Sequence, residues 1–283
     1  MPEEMTVRSA LKQAAARLKA SPAAGRDAEL LLMRALGKDR AWLLTHPEDP
    51  LPPQELAQYQ GWIARRASHE PIQYILGEQE FFGLAFRVTP DVLIPRPETE
   101  HLVEAALARL PRNAPLRIAD VGAGSGAIAV ALAHALPQAK IVALDISPAA
   151  LAIAASNSQR HGVHDRIELR QSDLLQATRG QLYDAIVSNP PYVPTGEELE
   201  RQVRDYEPAS ALYAGESGLD IYHRLIPQAK ELLQPRGWLL MEIGHGQRHA
   251  LAALLAEWNG VEFIDDLQGI PRVACARRPS PEE

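Results

Sequence analysis

The sequence has a single cysteine, Cys275, in 283 residues. One thiol excludes an internal disulfide and any metal cluster built from cysteines. Aromatic residues make up only 5%, and three of the four phenylalanines, Phe81, Phe82 and Phe86, fall within six residues of one another. No apolar run approaches the length of a membrane span. Positive charge is short as well: 29 Lys and Arg stand against 36 Asp and Glu, a formal net charge of −7. That balance argues against broad, sequence-independent nucleic-acid binding, which needs a basic face. The first residues, Met1-Pro2-Glu3-Glu4, are acidic where a signal peptide is basic. The expectation is a cytoplasmic protein with no membrane partner and no stable nucleic-acid binding. What is present is ordinary for a globular chain: 46% hydrophobic and 23% charged residues, with length for one large domain or two smaller ones.

The first seventy-odd residues carry helical spacing. Val7, Leu11, Ala14 and Leu18 share one face, as do Ala28, Leu31, Leu32 and Ala35, and then Leu56, Tyr59, Ile63 and Ala67. Gly25, Gly37 and the Pro47–Pro53 segment punctuate these stripes. They predict a small helical bundle over residues 1–76 with no ionisable cluster that suggests chemistry. Phe82, Leu84, Phe86 and Val88 alternate, which predicts a hairpin or two short strands within residues 77–92. This apolar element either packs between domains or lines a site. In Ile94-Pro95-Arg96-Pro97-Glu98-Thr99-Glu100, Pro97 suits the first position of a helix, and the glutamates suit its positive end. Arg96, between two prolines, belongs to that helix start or faces a ligand.

From Leu116 onward strands and helices alternate. Strands are expected at Arg117–Val121, Lys140–Asp145, Ile167–Gln171, Tyr183–Ser188, Trp238–Ile243, Val261–Asp265 and Arg272–Ala276. Helices are expected at Gly126–Leu136, Pro148–His161, Leu219–Leu233 and Gln247–Glu257. Such alternation predicts an α/β domain over residues 93–283, its mainly parallel sheet covered on both faces. The polar tail Arg277–Glu283 is expected to fray.

Two junctions in this half carry chemistry. Asp120-Val121-Gly122-Ala123-Gly124-Ser125-Gly126-Ala127 joins the first strand to the first helix. Its glycines permit a tight turn and close backbone approach, and the helix start offers free N–H groups. Taken alone, Gly122-x-Gly124-x-x-Ala127 equally satisfies a dinucleotide fingerprint. Asp145 ends the second strand, where a carboxylate can accept both hydroxyls of an adenosine ribose; a nicotinamide cofactor and S-adenosylmethionine both have one. The second junction is Asn189-Pro190-Pro191-Tyr192, after the apolar run that ends at Ser188. Two prolines cannot continue a central strand, so they make a stiff turn at the sheet edge where open α/β folds place ligands. The Asn189 side-chain carbonyl and the Pro190 carbonyl can each accept one N–H, and Tyr192 can lie flat on a planar group. The turn therefore suits a planar –NH2 acceptor. An aspartate at 189 would keep an acceptor of the same shape, so it is expected to retain more activity than alanine. Asp173, with Leu174 after it, follows the third strand, where it could read an adenine edge. A hydride transfer has no use for a clamp on –NH2, so these residues favour S-adenosylmethionine over a nicotinamide cofactor.

The chain also resembles a known family. Glu70-Pro71-Ile72-Gln73-Tyr74-Ile75-Leu76-Gly77, Phe81-Phe82-Gly83 and Ile94–Glu100 look like its linker signatures. Gly122–Gly126 and Ser188–Tyr192 look like its cofactor and catalytic motifs, and Tyr206-Glu207-Pro208 with Ala211-Leu212 continues the match. This is similar to the protein-glutamine N-methyltransferases that modify peptide chain release factors. The resemblance implies an N-terminal bundle of about five helices, a β-hairpin linker, and a seven-stranded, Rossmann-like methyltransferase domain; the stripes of the bundle serve its core, or, as a hypothesis resting on its being separate from the catalytic half, the bundle also docks the release factor. It implies S-adenosylmethionine as cofactor and class I release factors as protein partners. The acceptor would be the glutamine amide nitrogen of their Gly-Gly-Gln motif. It implies catalytic roles for Asn189, Pro190 and Tyr192, with Pro191 and Arg96 joining them against the substrate. Gly122, Ala123, Gly124, Ser125, Gly126, Asp145, Asp173, Leu174 and Asn189 would line the cofactor site; Leu174 stands where the family pattern has an aromatic residue. Two rivals stay open. A nucleic-acid methyltransferase acting on an adenine amine uses the same clamp on a flipped base. A non-catalytic adaptor would keep the fold to bind a partner.

Overall fold

The computed structural model describes residues 4–280, which form two compact units. Residues 4–77 build the first. Its helices are α1 (Val7–Arg17), α2 (Ala24–Leu36), α3 (Arg40–Thr45), α4 (Pro53–Ala67) and α5 (Ile72–Leu76). Thr6 caps α1 in a reciprocal box with Ser9, and Gly37 ends α2 in the left-handed region. Val7, Ala14, Leu18, Leu31, Leu32, Tyr59 and Ile63 meet in one core, as their spacing predicts. Ala67 does not join them. The end of α4 instead buries Arg66, whose Nε donates to Asp27 Oδ2 at 2.7 Å and whose Nη1 donates to the Glu70 carbonyl at 3.0 Å. A buried guanidinium needs such partners for its donors. A distant segment, Leu199–Tyr206, completes this unit. The Tyr206 hydroxyl donates to the Ser68 carbonyl at 2.7 Å, and Arg66 reaches Gln202.

The second unit begins with a hairpin, β1 (Glu78–Phe81) and β2 (Leu84–Arg87). Phe82 and Gly83 both have positive φ, the backbone of a two-residue turn that matches strand twist. Phe81 and Phe86 are buried in this unit's core, so the scarce phenylalanines serve packing here. Then come α6 (Glu100–Arg109), β3 (Arg117–Val121), α7 (Ala127–Ala135), β4 (Lys140–Asp145), α8 (Pro148–Arg160), β5 (Ile167–Gln171) and β6 (Tyr183–Ser188). After the short α9 (Arg201–Arg204) of the first unit follow α10 (Asp220–Leu232), β7 (Leu233–Glu242), α11 (Arg248–Leu254), β8 (Asn259–Asp265) and β9 (Pro271–Arg277). The seven-stranded sheet has the order β5-β4-β3-β6-β7-β9-β8. Strands β3 to β7 pair in parallel and β9 is antiparallel to both neighbours. Near-continuous apolar runs in β3, β4 and β6 follow from burial on both faces.

Strand β7 starts five residues earlier than its apolar run suggests. Tyr183 pairs with Leu233 but Ala185 pairs with Trp238, so Gln234–Gly237 bulge out and accommodate Pro235. At the C-terminus, Arg277 is still in strand, opposite Trp238, rather than in a frayed tail. Residues 281–283 of that tail, and Met1-Pro2-Glu3 of the acidic start, lie outside the described residues. Among the described residues no helix is long and apolar enough to cross a membrane.

Candidate active site

Strands β3 and β6 lie side by side, with Val121 opposite Ser188, although β4 and β5 intervene in the chain. The sheet therefore changes direction of growth between them, the place where open α/β sheets open a crevice. The two loops that leave this point are the glycine loop and the Asn-Pro-Pro-Tyr turn. A cavity of about 250 Å³ lies there. It is lined by Gly122, Ala123, Gly124, Ser125, Asp145, Asp173, Leu174, Asn189, Pro190, Pro191 and Arg96 among others.

The glycine loop is tied to the end of β4. Gly122 and Ala123 donate their N–H groups to the Leu144 carbonyl at 2.8 and 2.9 Å. Gly124 N–H donates to Asp145 Oδ2 at 2.8 Å, and Ser147 N–H to Oδ1 at 2.9 Å. Both Asp145 oxygens are thereby fixed, each with a lone pair to spare. At Gly122, with φ 77°, an added Cβ would stand 3.8 Å from the Asn189 carbonyl, whereas at Gly124, with φ 53°, nothing lies within 4 Å. Gly126 departs from the expected role. It does not line the cavity: a Cβ there would meet Ala154 Cβ at 3.0 Å, so this glycine permits α7 to approach α8. Ser125 is held from behind by Asn157, whose Nδ2 donates to its carbonyl at 2.8 Å and to Arg87 O at 3.0 Å. Asn157 Oδ1 accepts from Arg87 N–H at 2.8 Å, so one buried amide sutures the loop to β2.

On the opposite wall, Asn189 Nδ2 donates to Thr99 Oγ1 at 3.0 Å. The Thr99 hydroxyl donates to Glu242 Oε2 at 2.6 Å. Neither Asn189 Oδ1 nor the Pro190 carbonyl accepts a hydrogen bond from the described residues. Tyr192 is placed differently from the expectation. Its ring packs against the buried core of the sheet, and it is not among the residues that line the cavity. A buried acceptor explains this, for its hydroxyl donates to Glu242 Oε1 at 3.3 Å, and burial raises the phenol's pKa. Gln247 Nε2 holds the Tyr192 carbonyl at 3.0 Å and so fixes the end of the turn.

The remaining candidates are partnered. Arg96 forms an ion pair with Glu207, which is 6% exposed and also accepts from Ile94 N–H at 3.1 Å. The Asp173 carboxylate pairs with Arg224 at the cavity rim. Leu174 has φ 53°, an uncommon backbone for a branched residue, and it sets Leu175 N–H on Gln228 Oε1 at 3.1 Å.

Sequence reasoning missed Thr99, Glu242 and Asp120. In the sequence, Thr99 is simply part of a helix start. Glu242 and Asp120 are acids inside apolar strand runs, and that setting was the available signal. Burial pushes the Glu242 carboxyl up to about 7, against the Thr99 and Tyr192 hydrogen bonds that favour its charge. Asp120 is likewise pushed up to about 7 by burial. Its Oδ2 accepts from Ala129 N–H at 3.0 Å while Oδ1 has no partner. Among the described residues no His, Cys, Asp and Glu cluster could hold a metal ion.

Residues 9–77 match the family model of the PrmC N-terminal domain, and residues 100–205 that of the methyltransferase small domain. The release factor glutamine methyltransferase of Koribacter versatilis is 48% identical over 281 residues, covering 98% of this chain and 100% of that protein. The protein of the same name from Geobacter sulfurreducens is 47% identical over 255 residues, covering 89% and 88%. Among solved structures, a methyltransferase from Pyrococcus furiosus superposes with a TM-score of 0.53 at 16% identity, over 79% of this chain and 100% of that one. A 16S rRNA methyltransferase from T. thermophilus, solved with AdoMet and guanosine, gives 0.55 at 20% identity, over 71% and 49%. The structural likenesses establish the fold, and the near full-length identity goes further: this chain belongs to the release factor glutamine methyltransferases.

Proposed function

We propose that this enzyme transfers a methyl group from S-adenosylmethionine to the side-chain amide nitrogen of the glutamine in the Gly-Gly-Gln motif of class I peptide chain release factors. The observation that carries this reading is the pair of unclaimed acceptors, Asn189 Oδ1 and the Pro190 carbonyl, in a turn that shares a cavity with the glycine loop. A primary amide has two hydrogens to offer, and this turn has two oxygens to take them.

The cavity fits the cofactor on its own features. Asp145 keeps one free lone pair on each fixed oxygen, enough for two ribose hydroxyls. Gly124 leaves open space where any side chain would intrude, and Ile146 and Leu174 offer apolar surface to an adenine ring. Asp173, already paired with Arg224, contributes through that pair at the rim. When bound, S-adenosylmethionine supplies an activated methyl group on a cationic sulfur.

The chain's own contribution is orientation. An amide nitrogen is a poor nucleophile because its lone pair is delocalised into the carbonyl. With Asn189 Oδ1 and Pro190 O each holding one hydrogen, the lone pair is released in a fixed direction. Neither Pro190 nor Pro191 has an N–H, so neither proline competes with the acceptor amide for these oxygens. As the nitrogen gains positive charge, the two carbonyl dipoles stabilise it without reorganising. Positioning of this kind accounts for up to about 7–11 kcal/mol of a barrier. Arg96, fixed by Glu207, keeps its remaining guanidinium donors at the rim for the substrate.

The helical unit of residues 4–77 is the docking element in this reading, supported by its separate core and its lack of catalytic groups. Incubation with labelled cofactor and a purified class I release factor tests the assignment. Mass spectrometry is expected to place the methyl group on the glutamine of Gly-Gly-Gln. Label on nucleic acid, or on another residue, rejects it. Docking predicts a KM for the intact factor well below that for a short Gly-Gly-Gln peptide, and equal values would remove the docking role.

A further inference from the structure

We propose that Glu242 sets the polarity of the Asn189 side-chain amide through Thr99, making Glu242 and Thr99 positioning residues for the acceptor clamp. The inference rests on the clamp reading given above. An asparagine amide is nearly symmetric in shape, and its oxygen and nitrogen can exchange places by a half-turn. Only the oxygen can hold an amide hydrogen of the substrate, so a flipped Asn189 would present N–H to N–H. Something must choose between the two states.

Donor bookkeeping makes the choice. An ionised carboxylate only accepts, and a threonine hydroxyl has one hydrogen. Thr99 gives that hydrogen to Glu242 Oε2 at 2.6 Å. Its oxygen is then left as an acceptor, and the atom of Asn189 that faces it, 3.0 Å away, must be the nitrogen. Oδ1 is thereby excluded from Thr99 and left for the substrate. The other carboxylate oxygen takes the Tyr192 hydroxyl, so one buried acid fixes both ends of the Asn-Pro-Pro-Tyr turn. Glu242 itself is held by the Tyr222 hydroxyl on its carbonyl at 2.8 Å.

The arrangement depends on charge. A protonated Glu242 can donate to Thr99, the Thr99 hydrogen can then turn towards Asn189, and the amide can invert. The groups acting on this carboxyl are Glu98 beside Thr99, Arg272 on β9, Tyr192 after β6 and Tyr222 on α10. Arg272 is engaged by Asp266 at 2.9 Å, and burial outweighs it, lifting the carboxyl to about 7. The fixed polarity is therefore half populated near pH 7, becomes complete over the next one to two units, and is released as pH falls through it.

The test combines turnover with a measurement that needs no turnover. Thr99→Val is expected to lower turnover by about 10–100-fold with cofactor affinity unchanged, and Thr99→Ser to restore most of it. In Glu242→Gln, whose oxygen can still accept from Thr99, the loss of turnover below neutral pH is expected to disappear. Independently, the ¹⁵N side-chain amide signal of Asn189, identified by its absence in Asn189→Asp, is expected to titrate near pH 7 in wild type and not in Glu242→Gln. An amide signal with no titration between pH 5 and 9 overturns the proposal, as does a Thr99→Ser variant as slow as Thr99→Val. Wild type that titrates as expected but methylates no glutamine rejects the acceptor assignment while the polarity device stands.

Discussion

Asn189 is the residue at which structure changes what an experiment should show. From the sequence, aspartate at 189 keeps the acceptor and should outperform alanine. The structure places a donor requirement on the other arm of the amide, because Nδ2 faces Thr99 Oγ1, whose hydrogen is committed to Glu242. A carboxylate there sets oxygen against oxygen and adds a second charge beside a buried acid. Asn189→Asp is therefore expected to be as slow as Asn189→Ala, both down by about 10²–10³ in turnover, the scale of losing one preorganised group. Single-turnover rates at saturating cofactor measure this. An aspartate variant close to wild type would show that Thr99 does not constrain the amide. The same accounting separates the glycines: Gly124 leaves open space in the cavity, while Gly126 yields to Ala154 of α8.

At the scale of elements, the glycine loop depends on a residue it does not contain. Asn157, in the last turn of α8, satisfies Ser125 O and both backbone groups of Arg87. Asn157→Ala leaves Ser125 O without its buried donor and the Arg87 backbone groups without their part-buried partner, and is expected to cost about 1–3 kcal/mol of stability, the scale of one buried group left unpaired. Urea titration of the variant checks this, and an unchanged midpoint would mean that water or a shifted backbone replaces the amide. Nothing in the sequence marks Asn157, since an asparagine near a helix end usually faces solvent. What the sequence did disclose came from short-range pattern. The β3, β4 and β6 boundaries follow from apolar runs, and the glycine loop and Asn-Pro-Pro-Tyr turn from residues with restricted or unusual backbones. What it hid was long-range pairing. Thr99 and Glu242 are 143 positions apart, and neither residue type announces the other. The Tyr192 hydroxyl is a further case: its aromatic face is visible in the sequence, but the acid that takes its hydroxyl is not.

For the molecule as a whole, the two acids buried in the sheet tie stability to pH in a definite direction. Asp120 rises from 3.8 to about 7 and Glu242 from 4.5 to about 7, both chiefly through burial. Between the ordinary values and about 7 the folded state holds more protons than the unfolded one, so these groups make stability fall as pH rises. The urea midpoint of the cofactor-free protein is expected to drop from pH 5 to pH 8, and to drop less in Asp120→Asn. A midpoint difference identical in the variant would mean that Asp120 ionises as freely folded as unfolded. The segment Leu199–Tyr206 acts at this scale too, because it finishes a unit whose other residues end at 77. A ribosome making 5–20 residues per second releases that last piece roughly 6–26 s after the first five helices have been made. By then the chain for β3, β4, β5 and β6 has also been made. The N-terminal helices therefore wait, with Ser68 O and Arg66 short of their partners, until the strands that carry the chemistry already exist as chain.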